Sequence, residues 1–211
     1  MRFLRSLPLL FLVLVLCCSG CMSVSLKPYY TPENQIPVPD ELVGLWRLEK
    51  LQGKTQKTNL LQLQIAKNGE TKVTQFPEKE GEETIHRSTF YTQCFRVNGE
   101  LYADCMIRSL KTLPAAEALT MIPGHLLVKL SVSGETLRAV YPLNLPKLAE
   151  DGKLPIGLTR ILPETTPGKA EAIWVFTAPG SVWEETLKTM SPQIFPDDSR
   201  ASCEFRRVLI Q

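Results

Sequence analysis

The sequence predicts a mainly β fold: an antiparallel meander of eight to ten strands, curled or closed into a barrel, with one short and one longer helix. Three observations predict it. Apolar and polar residues alternate over short runs, the period of a strand with one buried face. Tight-turn dipeptides such as Asn98-Gly99 and Ser133-Gly134 separate those runs. Consecutive hairpins that each bury one face imply a meander, which hides its edges by curling or closing.

Taken in order, strands are expected near residues 43–51, 59–67, 70–76, 84–97, 100–109, 125–133, 136–142, 157–161, 171–177 and 201–210. Leu61, Leu63 and Ile65 alternate with Gln62, Gln64 and Ala66, and the turn pair Asn68-Gly69 follows. Leu126, Val128, Leu130 and Val132 alternate with Leu127, Lys129 and Ser131, and Leu137, Ala139 and Tyr141 resume after the Ser133-Gly134 turn. A short helix over 145–149 ends before Asp151-Gly152. The longer helix starts at Ser181 with Glu184 three residues on, the pattern of a capping box. Val182, Trp183, Thr186, Leu187 and Met190 form its apolar stripe, and Ser191-Pro192 is expected to end it. Residues 113–122 fit a loop or a helical turn equally well.

Ahead of this domain, assigned to residues 40–211, lie two segments of different character. Met1 to Arg5 is a short cationic start, and residues 7–18 are almost wholly apolar. A spanning helix needs roughly 20 apolar residues, so the run suits a cleaved export signal over residues 1–20 better than a permanent span. Residues 21–39 carry Pro28, Pro32, Pro37 and Pro39 and show no hydrophobic period. Proline fixes φ and removes a donor, so this part reads as an extended tether. Two of the 24 basic residues, Arg2 and Arg5, fall in the signal and none of the 22 acidic ones does, which leaves the remainder neutral. Such a balance gives no footprint for nucleic acid.

Candidate chemistry is sparse. The two histidines, His86 and His125, stand apart, and beyond Cys21 no Cys-x-x-Cys or His-x-x-x-His spacing offers a metal site. No hydrolase signature and no phosphate-binding glycine loop is present, so no catalytic residue and no cofactor is assigned. Cys17 and Cys18 leave with the signal, and beyond Cys21 three cysteines remain: Cys94, Cys105 and Cys203. The first two flank the Asn98-Gly99 hairpin. A Gly99-Glu100 turn would set them directly opposite and allow a Cys94–Cys105 disulfide. An Asn98-Gly99 turn sets Cys94 opposite Ala103 and only diagonal to Cys105, too far to bridge.

Cys18-Ser19-Gly20-Cys21 resembles the bacterial lipobox, in which small residues before a cysteine admit the lipoprotein signal peptidase. That likeness implies lipidation of Cys21, with palmitate-type acyl chains holding the protein to the cell envelope. Met22 is not the aspartate that retains lipoproteins at the inner membrane. The outer membrane, facing the periplasm, is therefore expected where the source has two membranes. Gly44-Leu45-Trp46 resembles the Gly-x-Trp opening strand of lipocalin-type barrels. There the tryptophan plugs one barrel end and a basic residue of the last strand covers it; Arg206 and Arg207 are the candidates. The stretch from Phe95 to Val208 also resembles a group of bacterial lipoproteins, a likeness that implies architecture and no particular activity. These readings point to a membrane-anchored, non-enzymatic binding or scaffolding module for an apolar ligand or an envelope partner. The alternative is an envelope hydrolase whose site is spread through the sequence.

Overall fold

The computed structural model describes residues 22–56, 61–76, 85–110, 124–154, 158–161 and 173–209. The expected export signal over residues 1–20, Cys21 and the undecided stretch 113–122 lie outside the described residues, as does the side chain of His86. Among the described residues the strands are β1 (Met22–Ser25), β2 (Gln35–Ile36), β3 (Gly44–Leu51), β4 (Lys54–Thr55), β5 (Leu61–Ile65), β6 (Glu70–Gln75), β7 (His86–Val97), β8 (Glu100–Leu110), β9 (His125–Ser133), β10 (Thr136–Val140), β11 (Leu158–Ile161), β12 (Ile173–Phe176) and β13 (Ser202–Arg207). The helices are α1 (Leu145–Glu150) and α2 (Gly180–Ile194).

Eight of these strands close into an antiparallel barrel. β3, β5, β6, β7, β8, β9 and β10 follow one another as a meander, and β13 closes it by pairing with β10 on one side and β3 on the other. Closure removes the open edges that a flat meander would expose. The β7–β8 turn is the Asn98-Gly99 one, with both residues at positive φ, 50° and 79°. It sets Cys94 opposite Ala103 and Cys105 opposite Thr92. The Cys94–Cys105 bridge is therefore not formed; Cys94 and Cys105 are free thiols, and they and Cys203 are directed into the core. Burial pushes the Cys94 thiol up to about 11 and the Cys105 thiol up to about 12, so both stay protonated and act as small hydrophobes.

Alternation along each strand fills the barrel. Trp46 and Leu48, Leu61 and Ile65, Val73, Phe90, Leu101 and Ala103, Leu126 and Val128, Leu137, Cys203 and Phe205 form one continuous interior cluster. Trp46 is fully buried at the end where β3 begins, and its indole N–H donates to the Leu42 carbonyl at 2.8 Å. Arg207 lies over the ring, 4.2 Å from its centroid, and its Nη1 donates to the Val43 carbonyl at 2.8 Å. Of the two candidate arginines, Arg207 covers the tryptophan, while Arg206 points out to Glu49.

A second core lies outside the barrel. Phe95 and Val97 of β7, Tyr102 of β8 and Leu127 of β9 face outward and are covered by Trp183, Leu187 and Ile194 of α2. α2 departs from the sequence expectation at both ends. Its cap is Pro179, whose carbonyl accepts the amides of Val182 and Trp183, and Ser181 makes no side-chain cap. Glu184 instead pairs with Lys188 at 2.7 Å and accepts from Thr31 and Asn34. Nor does Ser191-Pro192 stop the helix, which runs on to Ile194. Pro192 has no amide for the Lys188 carbonyl, and Asn98 Nδ2 supplies the missing donor at 3.2 Å.

The extended-tether reading of residues 21–39 is corrected from Met22 onward. β1 pairs with β12 in parallel over four residues and meets β9 at Ser25 and His125. β1 is thus the strand that connects β12 and β11 to the barrel. Farther on, Tyr29 is fully buried between the barrel and α2, β2 pairs with β7, and Val38 and Leu42 join the barrel core beneath Trp46. The segment has no period because successive residues meet different elements rather than one face.

Candidate functional site

The strap formed by residues 22–31 crosses the outer core, and the polar groups that hold it there form the candidate site. Asp104 stands on β8 between Ala103 and Cys105, which face inward, so its carboxylate faces the outer layer. Its side chain is 1% exposed and that of His125 15%. Asp104 Oδ2 accepts the Tyr29 amide at 2.9 Å, and Oδ1 lies 2.7 Å from His125 Nδ1. Bonds of this kind are what a buried carboxylate requires, since an unpaired one would cost several kcal/mol. Ser25, opposite His125 in register, is fully buried, and its hydroxyl donates to the Lys27 carbonyl at 2.7 Å.

Aromatic rings close the site. Tyr29 packs edge-on against Trp183 with centroids 4.7 Å apart, and Trp183 packs edge-on against Phe176. Burial, and after it the negative charge of Asp104, pushes the Tyr29 hydroxyl well above the ordinary tyrosine value. Burial and Asp104 push Tyr30 in the same direction. Gly180 is required where the strap meets α2: a Cβ there would lie 2.0 Å from the Tyr30 carbonyl oxygen.

A second polar cluster clamps the far end of α2. Glu100 accepts hydrogen bonds from Lys129, Tyr102 and Ser191, and Tyr102 also reaches Ser191 at 2.8 Å. Burial alone would raise the Glu100 pKa, but those hydrogen bonds and the Lys129 charge outweigh it and hold it below the usual glutamate value. A depressed carboxylate pKa stabilises the fold above the unfolded-state value, and that contribution is lost as pH falls through the folded value. Glu100→Gln is expected to cost about 1 kcal/mol near neutral pH, discounted for partial exposure. Urea titrations of both chains should show the difference vanish once the pH falls below the normal glutamate range. A difference that persists there would mean the charge is not what holds the clamp.

In chemical terms the Asp104–His125 pair has one half of a general-base arrangement, a carboxylate orienting an imidazole. Ser25 does not complete it, since its hydroxyl is buried and its hydrogen is committed to Lys27. Among the described residues no group of three or more His, Cys, Asp or Glu side chains could hold a metal ion. Of the residues weighed from sequence, His125 gains a partner, the cysteines are separated inside the core, and Cys21 lies outside the described residues. Asp104, Tyr29 and the Glu100 clamp carry no motif. A signal for them existed in the outward-facing apolar residues Phe95, Val97, Tyr102 and Leu127, since strands apolar on both faces are covered on both.

No protein-family model, no curated protein and no solved structure matches this chain.

Proposed function

We propose that this protein is a lipid-anchored cell-envelope lipoprotein whose barrel serves as a non-enzymatic module that binds or scaffolds an envelope partner. Ser19-Gly20-Cys21 behind a short apolar run supports the anchor. Two acyl chains or more hold a protein stably where a single chain is marginal. The outer membrane, facing the periplasm, is the favoured location in a source with two membranes. The packed interior is the observation that carries the module reading. Trp46, Phe90 and Phe205 with the aliphatic residues around them occupy the space in which a carrier barrel would hold an apolar ligand. This favours a surface-presented partner over ligand carriage. Arg47, Gln64 and Lys72 stand exposed on strand exteriors, the opposite of a membrane-spanning barrel's apolar outer band.

Metabolic labelling with palmitate should mark the wild-type protein and leave Cys21→Ala unmarked. Label retained by the variant would refute the anchor. A hydrolase is the second reading, favoured only by the Asp104–His125 pair. It requires hydrolysis of an envelope ester or peptide that His125→Ala abolishes.

A further inference from the structure

We infer that Cys21 mounts the barrel directly on the bilayer, with β1 as the fixing point, so that the domain keeps one orientation against the lipid surface. The inference rests on the lipoprotein reading above. One peptide bond joins Cys21 to Met22, the first residue of β1. Consecutive Cα atoms are about 3.8 Å apart. The acyl chains belong in the hydrocarbon, which is bordered by a headgroup layer of roughly 5–8 Å on each side. β1 therefore begins at that layer.

The residues that follow give the chain no slack. Met22–Ser25 pairs with Ile173–Phe176, and the Leu26 amide extends the ladder to the Phe176 carbonyl at 2.9 Å. Ser25 is fully buried, and the Tyr29 amide is held by Asp104. The Tyr30 carbonyl lies against Gly180. Were residues 22–39 a free spacer, the domain would wander roughly 20–25 Å from its anchor. Strand pairing removes that freedom.

Orientation follows from the barrel order. β5 lies four strands from β9 in both directions around the closed sheet. β1 leaves the barrel at β9, so the β5 exterior, where Gln64 is exposed, lies on the far side of the barrel from the mount.

The test uses the acylated full chain in vesicles that carry a nitroxide on the lipid headgroup. A fluorophore is placed at Leu26→Cys, a position 44% exposed, or at Gln64→Cys. Quenching is expected to be several-fold stronger at position 26 than at position 64. An insert of ~12 Gly/Ser residues between Cys21 and Met22 should abolish that contrast. Equal quenching at both positions, or an insert without effect, would overturn the mount. The intact mass of each sample separates the two claims: an acylated chain with equal quenching leaves the lipoprotein reading standing, whereas an unmodified Cys21 removes both.

Discussion

A chain begun at Asp40, where the proline-rich run ends, is expected to lose its cooperative unfolding transition, because the discarded residues hold the two outer layers together. Without β1, β12 and β11 lose their connection to β9. Without Tyr29, Trp183 loses its edge-on partner, and Asp104 loses the amide bonded at 2.9 Å. Truncating a buried aromatic costs about 3–5 kcal/mol, and whole domains are stable by only about 5–15 kcal/mol. The deletion removes that contact, a β-ladder and the Val38 packing against the barrel core together. Urea unfolding followed by tryptophan fluorescence should show a broad, early transition or none. Tyr29→Ala in the full-length chain, expected to cost about 3–5 kcal/mol with cooperativity intact, supplies the graded comparison. A deletion variant as stable as the full chain would show that the strap is dispensable.

Trp46→Ala is expected to cost a similar amount, about 3–5 kcal/mol, in the barrel core rather than the outer one. The ring is fully buried among the first residues of β3. Its loss opens a cavity beside Leu42, leaves the Leu42 carbonyl without the indole N–H, and takes the aromatic face from beneath Arg207. Trp46→Phe keeps most of the filled volume but not the hydrogen bond, and should cost clearly less. A change below about 1 kcal/mol for the alanine variant would show that the barrel end is not closed by this ring.

The sequence made the barrel legible where one physical rule governed each residue. The β9 bounds, His125–Ser133, agree with its alternating pattern, and the Asn98-Gly99 turn carried the register that separates Cys94 from Cys105. Trp46 and Arg207, at opposite ends of the domain sequence, were legible as a pair only through the resemblance of the Gly-x-Trp opening strand, since nothing in their spacing brings them together. The strap was not legible. Val24 enters the barrel core and Tyr29 the outer core, so their burial leaves no period to read. The α2 ends were misread for a related reason. Local rules favoured Ser181 as the cap and Pro192 as the stop, but tertiary partners took over. Glu184 is drawn to Thr31 and Asn34, and Asn98 satisfies the carbonyl that Pro192 cannot. Asp104 and His125 sit on adjacent strands in a layer formed by covering the barrel's outside; apolar residues on both strand faces signal that covering, but spacing along the chain does not encode which polar groups meet beneath it.

The central claim is that the chain becomes part of the fold immediately behind Cys21, the residue proposed to carry the lipid. Amide hydrogen exchange of the acylated protein in membranes, resolved over residues 22–31, tests this most directly. The amides of Leu26, bonded to Phe176, and Tyr29, bonded to Asp104, should be protected alongside those of β8 and β9. Exchange of both at the rate of an unstructured chain, with β8 and β9 still protected, would contradict the account and restore a free tether.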